Sequence, residues 1–305
     1  MTPRHGRLTI ESADPVFDPV DKRPYYTEMQ QISWFAGTPS EDSLSARLGR
    51  FRQLASRGWR VLATGFAFVE AGILSLLLAA SVPVLHRLPG GRERAELRAQ
   101  KGIHWLTRFY LGGLALLGAF RARCDDREKL QRPGILVVAN HPTLLDAWAL
   151  MSQMPQADCI VKERYYENFF LGRSARGAGF ILSHDGPDLV DECVDRLRRG
   201  RSLIFFPEGT RSPKHELGPF TRGAAHIALR SGCDPILVTL QCNPATLYHG
   251  QAWWDVPDST PTLTLTVGDP LPIKDIVEPE MSRGCAARAL TMHFRRTFER
   301  QLARG

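Results

Sequence analysis

An imidazole and a carboxylate stand close together in the run from Ala139 to Asp146. His141 directly follows an apolar stretch typical of a buried strand, and α/β folds place their ligands at the ends of such strands. Asp146 falls in the first or second turn of a helix expected to begin near Pro142, so its side chain can point back toward His141. A carboxylate that accepts the Nδ1 proton fixes the tautomer and leaves Nε2 to act as a base. The pair predicts proton removal from a hydroxyl group, although this run alone fits a structural histidine in the core more simply.

A second polar run, FPEGTRS, extends from Phe206 to Ser212 and also follows an apolar stretch. Gly209 lets the backbone approach a ligand, Thr210 offers a hydroxyl, and Arg211 carries a guanidinium that suits a phosphate. Taken alone, this run fits a structural turn. Because both runs follow strands of one predicted sheet, we expect them at the same edge of it.

From Pro133 to the C-terminus, short apolar runs alternate with stretches of helical periodicity. This alternation predicts an α/β layered fold. The predicted strands cover residues 134–139, 158–162, 201–206, 235–242 and 262–268. The predicted helices begin near Pro142, end before Gly200, and cover 221–232 and 282–303.

Two apolar segments precede this region, and arginines flank both of them. Val61 to Leu85 carries Glu70 as its only charge and is long enough to cross a hydrocarbon core of about 30 Å. Ile103 to Phe120 is marginal in length and carries Arg108. Crossing by both segments would leave a basic loop on the outer side, which the positive-inside rule disfavours. We therefore expect a helical hairpin inserted into one leaflet, with a buried hairpin in a soluble protein as the alternative.

The composition restricts the classes of function. The chain has 305 residues, 43% of them hydrophobic, and a formal net charge of +7, which together exclude a wholly disordered chain and a polytopic channel. The charge fits an anionic partner, but no nucleic-acid-binding motif accompanies it, so we expect no nucleic acid. The six cysteines form no Cys-x-x-Cys pair, which argues against zinc ribbons and thioredoxin-like sites. The chain has no Gly-x-Ser-x-Gly elbow, which argues against a serine hydrolase.

Together, NHPTLLD at 140–146 and FPEGTRS at 206–212 resemble the first and third motif blocks of the glycerolipid acyltransferase superfamily. That superfamily includes lysophosphatidate and glycerol-3-phosphate acyltransferases. The resemblance covers about residues 133–244 and implies an α/β domain with a central mixed sheet flanked by helices, preceded here by the N-terminal apolar helical hairpin. The ADCIVK run and the hairpin also look similar to acyltransferases found with aryl polyene pigment synthesis.

The resemblance implies which residues form the site. His141 and Asp146 are implied to be catalytic, and no metal ligand or cofactor is implied. The substrate-binding residues implied by the motifs are Asn140, Lys162, Gly179, His184, Glu208, Gly209, Thr210 and Arg211. Two positions depart from the family pattern, since His184 stands where the second block has arginine and Thr239 where the fourth has proline. Because a neutral histidine holds phosphate less well than a guanidinium does, a glycerol phosphate acceptor is less expected.

The implied reaction is direct acyl transfer. His141, oriented by Asp146, removes the proton of an acceptor hydroxyl while its oxygen attacks a thioester of acyl-CoA or acyl carrier protein, the co-substrate. Backbone donors near Gly209 are expected to stabilise the oxyanion, and Arg211 to hold an anionic group of a lysophospholipid or another lipid or glycan acceptor. The candidates for contact with the donor, which also fit a solvated surface, are Arg173, Arg176, Arg196, Arg198 and Arg199.

The alternative is a metal-dependent hydrolase that uses His141, Asp146 and Glu208 as ligands. Against it stands the lack of a paired-ligand helix motif in the sequence.

The expected organisation has three parts: a poorly ordered tail at 1–45, the apolar hairpin for membrane association at 46–125, and an α/β acyltransferase domain at 126–305. The N-terminus lacks the pattern of a secretion signal. With the arginines at an anionic bilayer surface, we expect the inner (cytoplasmic) membrane, with the catalytic domain on its cytoplasmic side.

Overall fold

The computed structural model describes residues 41–184, 186–214 and 216–304. The predicted tail therefore lies outside the described residues, except for its last residues, which belong to a helix that begins at Glu41. The chain divides into two compact units after Ala46. The features below belong to the second unit, and the three-part division expected from the sequence stays a prediction.

The α-helices contain about half of the described residues. They are α1 (Glu41–Arg87), α2 (Gly91–Leu116), α3 (Asp146–Met151), α4 (Glu163–Tyr166), α5 (Gly172–Gly177), α6 (Pro187–Arg198), α7 (Gly223–Ser231) and α8 (Arg283–Leu302). Short 3-10 helices cover Arg127–Gln131 and Ile273–Asp275.

The strands form one sheet. They are β1 (Arg121–Asp125), β2 (Leu136–Ala139), β3 (Asp158–Val161), β4 (Ile181–Leu182), β5 (Leu203–Phe205), β6 (Ile236–Asn243) and β7 (Thr262–Pro270). Their order is β1-β7-β6-β2-β5-β3-β4. Strands β6 and β7 are antiparallel and the other neighbours are parallel, which confirms the predicted mixed sheet.

Helices cover both faces of this sheet, as the alternation in the sequence predicts. Along β2, Val137 and Ala139 pack in one apolar cluster with side chains of α2 and α3. Leu136 and Val138 point the other way, into a cluster with α6, α7 and α8. Because successive side chains along a strand point to opposite faces, this wholly apolar run contributes to both cores.

The first motif forms a longer turn than the sequence predicts. Helix α3 begins at Asp146 and not near Pro142. The Thr143 hydroxyl accepts from the backbone N–H of Leu145, and the Asp146 carboxylate accepts from the backbone N–H of Thr143. Such side-chain bonds compete with helix formation, so the chain stays in a turn until Asp146.

The two apolar segments differ in their surroundings. Helix α2 begins at Gly91, well before the apolar stretch, and ten of its residues are buried. Within α1, the stretch Gly49–Arg87 reaches a mean hydropathy of 2.1, and 11% of its most apolar window is buried. By length and composition it is the one helix among the described residues that could cross a membrane. The second segment of the expected hairpin is thus largely a core helix, whereas the first packs one face on the core and leaves its other face exposed.

A buried ionic network ties α2 to the end of the sheet opposite the motifs. Arg201, just before β5, donates to Asp158 at the start of β3 through Nε at 2.7 Å. Its Nη1 donates to Glu96 of α2 at 2.8 Å. Gln100 donates to Asp158 at 2.8 Å. Burial opposes ionisation of Glu96, but the hydrogen bonds and charges of Arg201 and nearby arginines lower its pKa overall.

Candidate active site

Parallel strands bring the two motifs to one edge of the sheet. Strand β2 lies between β5 and β6 and is parallel to both. His141 follows the end of β2, and Glu208 follows the end of β5. Lys162 follows the end of β3, the next parallel strand. The predicted common edge is therefore present.

The His141 and Asp146 side chains are in direct contact. His141 Nδ1 lies 2.7 Å from Asp146 Oδ2. The histidine side chain is 20% exposed, whereas the Asp146 side chain is fully buried. No described residue forms a hydrogen bond with His141 Nε2, so this nitrogen is free to meet a substrate.

Thr143 fixes the Asp146 carboxylate in place. The Thr143 hydroxyl donates to Asp146 Oδ1 at 2.6 Å, and the Thr143 backbone N–H donates to Oδ2 at 2.7 Å. Burial raises the pKa of Asp146, and the hydrogen bonds from His141 and Thr143 oppose that rise. Because Thr143 donates to both carboxylate oxygens, the carboxylate is held in one orientation, and it holds the imidazole in turn.

The second motif holds the backbone of His141 on both sides. Glu208 Oε1 accepts from the His141 backbone N–H at 2.9 Å, and the Ser212 backbone N–H donates to the His141 carbonyl at 2.7 Å. The Ser212 hydroxyl also donates to Glu208 Oε1, and the Gly218 N–H donates to Oε2. Glu208 is buried. The structure thus gives Glu208 a positioning contact with His141, where the resemblance implies substrate binding.

An aromatic ring covers one face of the imidazole. Phe206 stacks on His141, with ring centroids 4.4 Å apart and planes at 24°. In the sequence, Phe206 ends a predicted strand and begins the second motif, and no contact with His141 is predicted for it. Its position directly after β5, at the same edge as His141, was the available signal.

The loop after Glu208 offers two backbone donors. Gly209 has a φ of 65°, in the left-handed region that glycine adopts readily, and its N–H donates to the Phe206 carbonyl. Among the described residues, the backbone N–H groups of Thr210 and Arg211 have no hydrogen-bond partner. The donors available for an oxyanion are therefore those of Thr210 and Arg211, and the Gly209 N–H itself is occupied.

Arg211 is anchored to a third segment. Its Nη1 donates to the carbonyls of Leu247 and Tyr248 at 2.9 and 3.2 Å. The Leu247 carbonyl also accepts from the backbone N–H of Leu144 at 3.1 Å. Leu247 has a φ of 54°, which is unusual for a bulky residue and costs backbone strain. This segment connects both motifs, and nothing in its composition marked it in the sequence.

Asn140 and Gly179 have contacts that explain them without a substrate. The Asn140 amide donates to the Leu240 carbonyl and accepts from the Leu240 N–H, which extends the pairing of β2 with β6. Gly179 has a φ of 66°, and a Cβ there would lie 2.4 Å from Cδ of Glu96 in the buried ionic network. Their implied substrate binding stays a prediction.

Lys162 and His184 are exposed at the same edge of the sheet. Lys162 follows β3, and His184 follows β4, where its Nδ1 lies 2.9 Å from the Leu182 carbonyl. Thr239, at the expected proline of the fourth block, is buried in β6 and contacts Gln301 of α8. Lys162 and His184 thus lie on the β5 side of His141 in the strand order.

Four of the five arginines considered for the donor have other partners. Arg196 contacts Glu96, Asp158 and Glu192 near the buried network. Arg176 contacts the Tyr166 carbonyl, and Arg198 contacts the Arg230 carbonyl. Arg199 pairs with Asp195. Their contacts are structural.

The hydrogen bonds of the two carboxylates do not support the metal-hydrolase alternative. Both oxygens of Asp146 contact His141 or Thr143, and both oxygens of Glu208 accept from backbone N–H groups or from Ser212. Within the described ranges, no group of three or more His, Cys, Asp or Glu side chains could hold a metal ion.

Comparisons with known proteins agree with this architecture. Residues 121–242 match the acyltransferase family. A chloroplastic 1-acyl-sn-glycerol-3-phosphate acyltransferase of Brassica napus is 33% identical over 34% of this chain and 31% of its own length. The enzyme of that name from Helicobacter pylori is 38% identical over 30% of this chain and 42% of its own length. The chain thus spans less than half the length of either relative.

A solved structure extends the likeness in fold. The crystal structure of the 1-acyl-sn-glycerophosphate acyltransferase from Thermotoga maritima superposes with a TM-score of 0.62 and 17% identity. The match covers 80% of this chain and 96% of the other. The family match at residues 121–242 spans both motifs, which lie at one edge of the sheet, so this part of the chain is similar to the acyltransferase family.

Proposed function

We propose that this chain is a membrane-associated O-acyltransferase. It moves an acyl chain from acyl-CoA or acyl carrier protein to a hydroxyl of a lysophospholipid or of another lipid or glycan acceptor. The observation that carries the proposal is the 2.7 Å contact between His141 Nδ1 and Asp146 Oδ2, with Nε2 unpartnered among the described residues. The two relatives named above, which are called 1-acyl-sn-glycerol-3-phosphate acyltransferases, support the lipid acceptor. The narrower likeness to aryl polyene-associated enzymes stays a prediction.

The reaction follows from this geometry. His141 Nε2 takes the proton of the acceptor hydroxyl as its oxygen bonds to the thioester carbonyl carbon. Asp146 stabilises the imidazolium that forms. The tetrahedral oxyanion then collapses, the C–S bond breaks, and the thiolate leaves with the proton from His141. The products are an ester and a free thiol.

The backbone of the second motif supplies the electrostatic stabilisation. The free N–H groups of Thr210 and Arg211 belong to the loop that Ser212 fixes to the His141 carbonyl. Donors held in this way stabilise an oxyanion without reorganising during the reaction. Asp146 and Thr143 keep the base in the tautomer that leaves Nε2 unprotonated.

A thioester donor needs no cysteine nucleophile, and Cys242 is poorly suited to be one. Cys242, at the end of β6, is close enough to Asp146 to feel its charge. Burial, followed by that charge, raises the pKa of Cys242 to about 12. The thiol therefore stays protonated near neutral pH. Direct attack by the acceptor is the simpler reaction.

The exposed face of α1 supports association with one leaflet. Its large apolar side chains that are more than half exposed include Leu62, Phe66, Val69, Ile73 and Leu77. Contiguous apolar surface of this kind marks a contact with a partner or a lipid phase. Since α2 is packed on the sheet, we propose that α1 lies in the inner (cytoplasmic) membrane as an interfacial helix, with the catalytic domain on the cytoplasmic side.

The test is acyl transfer by the purified full chain in mixed micelles. Radiolabelled acyl-CoA and acyl carrier protein serve as alternative donors with a panel of lysophospholipid acceptors. We expect the His141→Ala variant to lose turnover while its melting temperature stays close to that of the wild type. A His293→Ala variant, on the opposite layer, is the matched control. Wild-type turnover by His141→Ala would overturn the proposal.

A further inference from the structure

Arg60 of α1 is buried, and no charged partner for it lies among the described residues. Its side chain is 7% exposed, and its Nη1 donates to Ser56 Oγ at 2.8 Å. Its Nε and Nη2 are buried and have no hydrogen-bond partner among the described residues. A buried guanidinium is costly unless its charge and its N–H groups are matched. Two of its N–H-bearing atoms are therefore left unsatisfied, and an anionic group that reached them would supply the missing hydrogen bonds.

The Arg60 side chain lines a pocket between α1, α2 and the segment 246–261. Apolar and aromatic groups, among them Phe68, Leu114 and Trp253, form much of its wall. Arg60 is the one charged residue in the lining that the described residues provide. Thr246 adds a buried hydroxyl group. A lone cation against apolar walls fits an amphiphile better than a fully polar ligand.

The pocket adjoins the catalytic pair. Leu145, which directly precedes Asp146, lines it, and so does Leu247. The Leu247 carbonyl accepts from Leu144 of the first motif and from Arg211 of the second. A ligand in the pocket would therefore touch the residues that hold the two motifs together.

The strand order places this pocket apart from the exposed basic residues. Phe120 precedes β1, Thr246 follows β6, and Pro261 precedes β7, so the pocket lies on the β6-β7-β1 side of His141. Lys162 and His184 lie on the β5-β3-β4 side. The two sides offer separate approaches to one histidine.

We propose that this pocket binds an amphiphile with a single anionic group, a phosphate or a carboxylate. The anion contacts Nε and Nη2 of Arg60, whose planar fork suits two oxygen atoms of one group. The alkyl part packs against Phe68, Leu114 and Trp253. That this amphiphile is the acyl acceptor rests on the proposed function. Its binding at Arg60 does not.

The test is calorimetric titration of the full chain in a neutral maltoside detergent. The probes are dodecyl phosphate, dodecanol and inorganic phosphate. We expect dodecyl phosphate to bind the wild type, and Arg60→Met to weaken that binding by about tenfold or more, because it removes charge-assisted hydrogen bonds. Arg60→Lys should bind with intermediate affinity. Arg57→Met, an exposed arginine one turn earlier on α1, should bind like the wild type.

A second measurement keeps folding apart from binding. Because Arg60→Met removes an unpaired buried charge, it should raise the melting temperature of the ligand-free protein by about 2–4 °C. Equal binding by Arg60→Met and the wild type would overturn the proposal. So would equal binding of dodecanol and dodecyl phosphate, or inorganic phosphate binding as tightly as dodecyl phosphate, which would indicate a site for free phosphate.

The two proposals can fail separately. His141→Ala should lose acyl transfer and keep dodecyl phosphate binding. If the wild type shows no acyl transfer but binds dodecyl phosphate through Arg60, the proposed function fails and the binding site stands. If transfer occurs and Arg60→Met leaves both binding and transfer unchanged, the binding site fails and the function stands.

Discussion

The His141 imidazole is held from several directions, and each contact has a separable effect. Asp146 holds Nδ1, Phe206 covers one ring face, and Glu208 and Ser212 hold the backbone. Nε2, which has no hydrogen-bond partner among the described residues, is the atom left for chemistry. Variants of the holding residues should therefore change the rate of transfer more than the binding of substrates.

The first prediction concerns the charge of Asp146. Asp146 Oδ2 faces both His141 Nδ1 and the Thr143 backbone N–H, so Asp146→Asn keeps an oxygen there but loses the negative charge that stabilises the imidazolium. The base is then weakened, and kcat should fall by about 10²-fold or more, within the usual contribution of general base catalysis. The acceptor KM should change little. Steady-state kinetics in mixed micelles measure both constants.

The control for this variant is Asp195→Asn. Asp195 is an exposed carboxylate on α6, and among the described residues its one ion pair is with Arg199. Its kinetics should match those of the wild type. If Asp146→Asn retained kcat within about threefold of the wild type, the general-base assignment would be wrong, because loss of the base is worth at least about 10²-fold.

The second prediction separates positioning from substrate binding at Glu208. Glu208→Gln cannot accept from the His141 N–H, the Ser212 hydroxyl and the Gly218 N–H together, because one oxygen becomes a donor. An unsatisfied buried group costs about 1–3 kcal/mol, so the melting temperature should fall. A misplaced His141 should lower kcat, whereas lost substrate binding would raise KM at constant kcat.

Glu216→Gln is the matched control, since Glu216 is an exposed carboxylate in the same segment. It should leave the melting temperature and both kinetic constants unchanged. An increase in KM alone for Glu208→Gln would restore the substrate-binding role that the family resemblance implies.

The residue types of the site were predictable, and their partners were predictable only in part. The spacing of His141 and Asp146 predicts their contact, because the intervening turn is short. It does not show that Thr143 occupies the other carboxylate oxygen, since a hydroxyl in such a run could face several groups. The Leu247 carbonyl could not be predicted at all, because any backbone can accept and only the fold selects which one does.

At the scale of elements, α2 shows why apolar content alone misleads. Burial in protein and burial in lipid require the same side chains, so Ile103 to Phe120 fits both environments. The distinguishing residues lie one or two turns earlier, where Glu96 and Gln100 reach Arg201 and Asp158. A carboxylate and an amide on one helix face indicate a polar partner within the protein.

The third prediction tests that network. Arg201→Gln removes the closer of the two guanidinium groups that Asp158 and Glu96 share and leaves Arg196, which should destabilise the fold by up to about 3–5 kcal/mol. Chemical unfolding of the full chain in neutral detergent measures the loss. Arg199→Gln removes an exposed pair with Asp195 on α6 and should cost at most about 1 kcal/mol. Equal stability of the two variants would show that the buried network contributes nothing beyond a surface ion pair.

The fourth prediction tests the exposed face of α1. The double variant Leu62→Gln and Phe66→Gln removes two exposed apolar side chains one turn apart, at 70% and 59% exposure. The fraction of protein that floats with anionic phospholipid vesicles should fall, because less apolar area enters the interface.

Met292→Gln is the control for vesicle binding. Met292 is an exposed apolar residue on α8, which packs on the opposite face of the sheet. It should float like the wild type. If the α1 double variant also floated like the wild type, α1 would not be the membrane contact.

At the scale of the whole molecule, the mixed sheet places one histidine between two unlike surroundings. The sequence predicts five of the strands because they are apolar runs bounded by turns. These strands are β2, β3, β5, β6 and β7. It misses β1, where charged residues alternate with Ala122 and Cys124, and the two-residue β4. Without these edge strands the order of the sheet, and therefore the side on which each cation lies, could not be derived.

That order gives the fifth prediction, which concerns the acceptor. His184 follows β4 at the position where the family pattern has arginine, and it is exposed. Since an imidazole lacks the charged fork that grips a phosphate in two places, lysophosphatidate should be a slow acceptor for the wild type. His184→Arg should raise its kcat/KM by about tenfold, the value of one charge-assisted hydrogen bond. A neutral lysophospholipid acceptor should gain nothing.

Ser183→Arg provides the comparison that makes this result specific. It adds the same charge at the preceding exposed residue, so any gain from general attraction of anions appears in both variants. A gain confined to His184→Arg places the acceptor phosphate on the β4 side of His141. Efficient acylation of lysophosphatidate by the wild type, together with its loss in Arg60→Met, would instead place that phosphate in the pocket on the β6-β7-β1 side. The pair of variants thus decides from which side of the sheet the acceptor reaches His141 Nε2.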